Sequence, residues 1–397
     1  MLLLSLSPES DSFRQALREW LSKNPSPPRI NESSLEDFQR VGREWQKQLS
    51  AGRWIGVHWP SEFGGRGLTL VEEAIVQEEL VRVHSPQILG LFGLTMVGPV
   101  LIRHGTEEQK KRFLSKILSG EEIWCQGFSE TGAGSDLANV KTKAELVEGG
   151  MKISGHKVWT SFAHIANWCF VLCRTSESSK KHEGLTYLLV DMKSPGITVR
   201  PLQQISGDKE FNEVYFDEVF VPSDMVVGAL GDGWKIAIST LMFERVVLTF
   251  ARQLQSEVAL REMLKVVSTD GTAQLVSNST RTSIAQCVAE ACAARALAYE
   301  HLVDYSGGKS PGPEGSMDKL LWSESYQQLC KVGLELAGAD IVEGEHGSSS
   351  GTQVHRYLYS RGRTIAAGTS EIQRNIIAER LLGLPRLDYT WTVRRNS

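Results

Sequence analysis

SETGAGSDLANVKTKAELVEGGMKISGHKVWTS occupies residues 129–161. Its second half decides the fold class. Polar and apolar residues alternate on both sides of Glu148, Gly149 and Gly150, which predicts a β-hairpin. Further strand candidates follow as NWCFVLCRT, GLTYLLVDM, ITVRPL and NEVYFDEVFVP, rich in β-branched and aromatic residues. No long helical pattern interrupts them. A doubly wound parallel sheet would need crossover helices, so this region reads as antiparallel or barrel-like.

Outward from the sheet the period changes. Upstream, LTLVEEAIVQEELVRV carries apolar residues at helical spacing. TEEQKKRFLSKILSG opens on a capping Thr106 with acids in its first turn and closes at Gly120. Downstream, WKIAISTLMFERVVLTFARQLQSEVALREML is a long amphipathic helix, and SGGKSPGPEGS at 306–316 separates two later ones. The plan is α+β: an N-terminal helical domain at 1–122, a middle antiparallel β-domain at 123–229 and a C-terminal helical bundle at 230–397.

The 397 residues suffice for two or three domains with real cores. Net charge is −4 and no basic block occurs, which argues against nucleic acid and anionic membranes. The longest apolar runs fall far short of a membrane span. MLLLSLSPES lacks a basic region ahead of its short apolar run, so it does not read as a secretory signal, and the expected location is the cytoplasm. Six cysteines, at 125, 169, 173, 287, 292 and 330, form no Cys-x-x-Cys pair and read as reduced thiols, mostly buried. The nine histidines show no metal-ligand spacing. SGGKS contains Gly-Lys-Ser, but Val303 stands where a phosphate-binding loop needs glycine.

Four segments carry chemistry. In SETGAGSD, the small residues Gly132, Ala133 and Gly134 let backbone N–H groups approach a ligand oxygen, or simply form a tight turn. The dinucleotide-binding G-x-G-x-x-G spacing is absent. In KVWTS, Trp159 either plugs a sheet-to-helix interface or forms a flat wall, while Thr160 and Ser161 supply hydroxyls for a heteroaromatic ring such as isoalloxazine. In FERVV, Glu244 shares a helix face with Leu241, Val247 and Leu248. A carboxylate there either pairs with an arginine or, facing a pocket, has the raised pKa of a general base. In AAGTSEIQR, Ser370 and Gln373 suggest a capping box, and Gly368 and Thr369 open a helix whose N-terminus suits an anion. Gly383 and Pro385 end that helix.

Together with WPSEFGG at 59–65 and HGTEEQKKRFLSKILSGE at 104–121, these segments resemble the acyl-CoA dehydrogenase family in order and spacing over nearly the whole chain. That resemblance implies helical, β and four-helix-bundle domains, bound FAD, and α,β-dehydrogenation of an acyl-CoA thioester with electrons passed to an electron-transfer flavoprotein. It implies FAD contacts from Gln126, Phe128, Ser129, Gly134, Ser135, Trp159, Thr160, Ser161, Thr369 and Glu371. It implies substrate contacts from Ser135, Arg245, Ala367 and Gly368.

The chain also departs from the family pattern. The position that often carries the catalytic glutamate is Ala367, which keeps only its backbone N–H. Isovaleryl-type and steroid-side-chain enzymes instead carry the base on a bundle helix just before an arginine, as Glu244-Arg245 does here. The resemblance therefore implies Glu244 as the catalytic base. The family's Arg-x-x-Phe-Gly appears as RTSIAQ at 281–286 and its Gln-x-x-Gly-Gly as ELAGAD at 335–340. Similar losses occur in relatives that act on steroid side-chain CoA esters as hetero-oligomers, so the resemblance implies either a homo-oligomer (dimer or tetramer) or a hetero-oligomer with a paralogous subunit. Two further readings stay open, a flavin oxidase or monooxygenase on the same fold and a silent partner subunit. Gly90, Gly93, Ala366 and Ala367 suggest either room for a bulky acyl group or close helix packing.

Overall fold

The computed structural model describes residues 7–28, 35–178, 180–269, 277–309, 312–338 and 349–386, with the side chains at 35, 244–249, 266, 268, 269, 349 and 350 outside that description. The N-terminal helices are α1 (Pro8–Lys23), α2 (Leu35–Ala51), α3 (Leu70–Arg82), α4 (Gly98–His104) and α5 (Glu107–Ser119). Their ends follow local chemistry. Thr69 with Glu72 and Thr106 with Gln109 form capping boxes, each satisfying two orphan N–H groups. Gly120 stops α5 at φ 72°, a left-handed position that glycine occupies without strain.

A π-helical turn, Gly93–Val97, runs into α4. Gly90 and Gly93 are packing contacts, not free space. A Cβ at Gly90 would lie 2.4 Å from the Gln46 amide, and one at Gly93 2.9 Å from Ile117. The buried Gln46 explains the first: its carbonyl accepts from Gly90 N at 2.8 Å and its amide donates to Ile117 O at 2.9 Å.

The sheet holds β1 (Trp124–Gly127), β2 (Lys143–Val147), β3 (Gly150–Lys157), β4 (Trp168–Arg174), β5 (Leu185–Asp191), β6 (Ile197–Pro201), β7 (Asn212–Pro222) and β8 (Val226–Val227). Its order is β6-β7-β3-β2-β4-β5-β8, with β1 on β4. The pairing is mainly antiparallel, and the 143–157 hairpin forms as expected. Among the described strands the order is open rather than barrel-like. Two pairings are parallel: β1 with β4, Trp124 facing Trp168, and β2 with β4 at Lys143 and Arg174. β4 and β5 are buried almost throughout and belong to the core shared with the N-terminal helices.

Helices resume with α6 (Gly233–Thr269), α7 (Asn278–Ser306), α8 (Gly315–Ala337), α9 (Ser349–Arg363) and α10 (Ser370–Ile376). A π-helical turn, Ile377–Leu381, continues α10 and ends at Gly383. One core joins the N-terminal helices to the sheet and reaches Ile236 and Ala237 at the start of α6. Farther along, Phe250 and Leu254 pack on Ala74 of α3 and on Ala298 and Leu302 of α7. α6 is thus the spine that spans sheet, N-terminal helices and bundle. Five cysteines are buried and Cys292 is exposed, on the outer face of α7.

Candidate active site

The small-residue loop is held from below by a buried ion pair. Lys157 Nζ, with no exposed side-chain surface, donates to Glu130 Oε1 at 2.8 Å, Phe128 O at 3.0 Å and Leu172 O at 2.8 Å. Glu130 also accepts from Lys141 N at 2.7 Å and from Thr142 N at 2.9 Å. Burial pushes the Glu130 pKa up, but the Lys157 charge and these donors outweigh it and hold the carboxyl below its ordinary 4.5. Above this anchor, Glu130 and Ala133 exchange backbone bonds at 3.2 and 3.0 Å, closing a tight turn. Ser129 and Gln126 are half-buried, and Gly134 and Ser135 are exposed. The Phe128 ring packs edge-on against Phe170 and Tyr187 in the core.

KVWTS lies beside that loop, since Val158 N donates to Ser129 O at 2.9 Å. Trp159 is 60% exposed, meets Phe211 edge-on at 6.0 Å, and plugs no interface. Its φ is 60°, and Phe162 follows at 58°. Non-glycine residues avoid this region, so the turn must be imposed from outside. Asn212 imposes it. Asn212 and Thr160 exchange backbone bonds at 3.0 Å, and the Asn212 amide donates to Thr160 O at 2.9 Å and Glu210 O at 3.0 Å. His164 Nδ1 meets Asn212 Oδ1 at 3.1 Å; burial lowers the His164 pKa, so the ring is neutral and donates. Sequence reading missed Asn212, because a polar residue at a strand start carries no mark of what it pins.

The segment Asp208–Asn212 also reaches the bundle. His355 Nε2 of α9 meets Asp208 at 2.8 Å, and the Tyr359 hydroxyl donates to Glu210 at 2.7 Å. α9 leads into the last motif. There Ala367 (φ 56°) and Gly368 (φ 88°) are left-handed, locked by the Gln373 amide, which donates to Ala367 O at 2.9 Å and Gly368 O at 3.2 Å. This corrects the expected capping box. Thr369 is the cap, accepting from Ile372 N at 3.2 Å, and Gln373 serves the turn before it. Thr369 and Glu371 line a polar groove of ≈ 460 Å³ between α8 and α10, with Gln327, Lys331 and Arg361.

Glu244 and Arg245 lie in α6, but their side chains are outside the described part. Position 244 is one heptad before Ala251 and so shares its helix face. Ala251, Gln255 and Val258 line a cavity of ≈ 470 Å³ against α3 and the π-turn residues Leu94 and Thr95.

Sequence models described as acyl-CoA dehydrogenase N-terminal, middle and C-terminal domains match residues 7–121, 125–219 and 231–382. The acyl-CoA dehydrogenase IpdE1 of Mycolicibacterium smegmatis is 40% identical over 95% of this chain and 98% of its own length. The chain belongs to the acyl-CoA dehydrogenase family. Among solved structures of that family, a chain of the ChsE4-ChsE5 complex from Mycobacterium tuberculosis aligns with a TM-score of 0.83 at 28% identity, covering 97% of this chain and 100% of that one. The Tcur3481-Tcur3483 steroid acyl-CoA dehydrogenase aligns with a TM-score of 0.82 at 26% identity, covering 96% and 99%.

Members of the acyl-CoA dehydrogenase family use a flavin, and the residues here fit one. Thr160 Oγ1 is buried without a partner among the described residues. The N–H groups of Gly132, Gly134 and Ser135 meet no acceptor among the described residues, and a Cβ added at Gly132 or Gly134 would meet nothing within 4 Å. These are unspent donors beside open space, the provision a flavin ring edge and diphosphate require.

Proposed function

We propose that this enzyme removes the α-proton and β-hydrogen of a bulky acyl-CoA thioester, with Glu244 as base and FAD as acceptor. The observation that carries the reading is Ala367. Its left-handed turn keeps an N–H that meets no acceptor among the described residues, while its methyl side chain has no acid–base capacity. The base must come from elsewhere, and Glu244 sits on the α6 face that borders the ≈ 470 Å³ cavity.

In this reading the Ala367 N–H donates to the thioester carbonyl oxygen and stabilises the charge that builds there as the α-proton leaves. Glu244 takes that proton. Its contribution is on the order of 10²–10⁴-fold. Bound FAD supplies the hydride acceptor for the β-hydrogen. Ser129, Gly134, Ser135 and Ser161, with Thr160, orient the flavin; Gln126 and the Phe128 backbone support the loop; Trp159 walls its outer side. Thr369 and Glu371 approach the rest of the cofactor from the polar groove, and Arg245, Gly368 and Ser135 hold the CoA ester. Electrons then leave to an electron-transfer flavoprotein.

No helix among the described residues is long and apolar enough to cross a membrane, and we place the enzyme in the cytoplasm. The domain divisions we adopt are 1–122, 123–229 and 230–397. The relatives named for steroid chemistry and two-chain complexes, with the altered segments at 281–286 and 335–340, support a hetero-oligomer and a steroid-derived or similarly bulky acyl group. Arg281 lies in α7, and residues 339–340 fall outside the described part.

The test is anaerobic flavin bleaching across short, branched, long and steroid CoA esters, followed by reoxidation. Bleaching by bulky esters, slow return with oxygen and fast return with the flavoprotein are expected. Fast return with oxygen would make the enzyme an oxidase instead.

A further inference from the structure

Glu210, in the loop between β6 and β7, holds the flavin-side turn with its backbone and the bundle with its side chain. On the flavin side, its carbonyl accepts from Phe162 N at 2.7 Å and from the Asn212 amide at 3.0 Å. Phe162 is the second left-handed residue of the turn that begins at Trp159, so Glu210 O pins the far end of that turn. On the bundle side, the half-buried Glu210 carboxylate accepts from the Tyr359 hydroxyl at 2.7 Å. Burial raises the Tyr359 pKa, against the pull of the Arg363 charge, so the phenol keeps its proton and is the donor. α9 then runs from Tyr359 into the Ala367 turn.

Both ends of this link are stiff. The loop is folded on itself, as Leu202 N donates to Phe211 O at 2.8 Å and Gln204 N to Asp208 O at 2.9 Å. A second rung lies beside the first. His355 Nε2, one helical turn before Tyr359, meets Asp208 Oδ2 at 2.8 Å, and Ser206 Oγ donates to the same oxygen at 2.7 Å. The Tyr359 ring is flanked by the His355 ring at 5.8 Å and by the Arg363 guanidinium at 4.4 Å. Past Tyr359 the chain stays bonded. The Gln327 amide of α8 donates to Ser360 O at 3.1 Å and Thr364 Oγ1 at 2.8 Å, and Ser370 N donates to Thr364 O at 3.0 Å. A shift at the Glu210–Tyr359 contact therefore moves one turn against the other.

We infer that the Glu210–Tyr359 bond is a strut that sets the spacing between the flavin-side turn and the Ala367 N–H, which makes Glu210 and Tyr359 positioning residues for the dehydrogenation. The inference rests on the function proposed above, with the flavin at Thr160 and Ser161 and the thioester oxygen at Ala367. Proton and hydride leave adjacent carbons of one ester. The flavin and the oxyanion donor must therefore be correct relative to each other, and a misplacement of about 1 Å costs on the order of 10²-fold in rate. A tie that only held the domains together would set stability and FAD content but not the rate of the bound ester.

The experiment uses the FAD-loaded enzyme, with any partner subunit that purifies with it, and an acyl-CoA that bleaches the wild type. Tyr359→Phe keeps the ring that lines the cavity and removes only the bond. Glu210→Leu removes the acceptor, and Glu210→Gln keeps one. Anaerobic bleaching gives the rate at saturating ester and the half-saturating concentration; reduction by dithionite, which needs no ester, is the control. In Tyr359→Phe and Glu210→Leu the saturating rate should fall by about 10- to 10²-fold, while half-saturation, FAD content and dithionite reduction stay within about twofold. Glu210→Gln should keep most of the rate. The double variant Glu210→Leu/Tyr359→Phe should be no slower than either single one, because the bond is already lost. If Glu210→Leu does not fold, Tyr359→Phe against Glu210→Gln carries the same comparison. A wild-type saturating rate in the folded single variants, a loss confined to half-saturation, or losses that multiply in the double variant would overturn the strut and leave the dehydrogenation reading standing. A wild type that no ester bleaches would end that reading, and the strut with it.

Discussion

Ala367 holds a left-handed conformation that costs an alanine roughly 1 kcal/mol. The Gln373 amide holds this turn through Ala367 O and Gly368 O. Ala367→Gly should therefore stabilise the protein by about 0.5–1 kcal/mol in chemical denaturation, since glycine adopts this φ without strain. A loss of stability would mean that the turn is not strained in solution. Asn212→Ala is expected to cost about 1–3 kcal/mol, because Thr160 O and Glu210 O each lose one of two donors and His164 Nδ1 loses its acceptor, and to weaken FAD binding measured by fluorescence. Normal FAD affinity in that variant would remove Asn212 from the site. The roles proposed for Glu244, Ser129 and Ala367 rest on motif order. Asn212 and Gln373 were not legible in the sequence, because each acts on a turn distant in sequence or by an unexpected partner.

At the level of elements, the hairpin, the later strands and the capped α5 were readable from alternation and caps. β1 was not. It has four residues, too few for a period, and its partner β4 begins at Trp168, far along the chain. The support under the small-residue loop was equally hidden, since nothing local marks Lys157 as the partner of Glu130. Lys157→Met should cost about 3–5 kcal/mol by leaving Glu130 buried and unpaired. The pH dependence follows in sign. Because the folded Glu130 pKa lies below 4.5, its contribution is complete above that value and is lost as pH falls through the folded pKa. Acid denaturation should show that loss in the wild type and less of it in Lys157→Met; identical acid slopes would contradict the assignment.

Across the whole molecule, charged groups from four helices meet where the N-terminal helices join the bundle. Arg14 pairs with Glu78 at 2.7 Å and Glu79 at 3.0 Å, Arg18 with Glu79 at 2.9 Å, and Arg295 with Glu257 at 2.6 Å. Arg295 and the Tyr299 hydroxyl also bind Glu78. The cluster ties α1, α3, α6 and α7 together beside the shared Phe250–Leu254 core, and so fixes the α3 and α6 walls of the ≈ 470 Å³ cavity. Arg295→Met should lower stability by about 3–5 kcal/mol in denaturant, as buried carboxylates lose their cation; a change under about 1 kcal/mol would show that the cluster relaxes without cost. The assembly argument works at this same scale. Purified alone, the chain should hold less than one FAD, and full FAD in a homo-oligomer would count against a paralogous partner. The proposed mechanism needs one arrangement, a base on α6 opposite the Ala367 donor. The direct measurement is anaerobic bleaching of FAD-loaded Glu244→Gln by an acyl-CoA that bleaches the wild type. With FAD content and melting temperature unchanged, bleaching should slow by about 10²–10⁴-fold; a rate near that of the wild type would contradict Glu244 as the base.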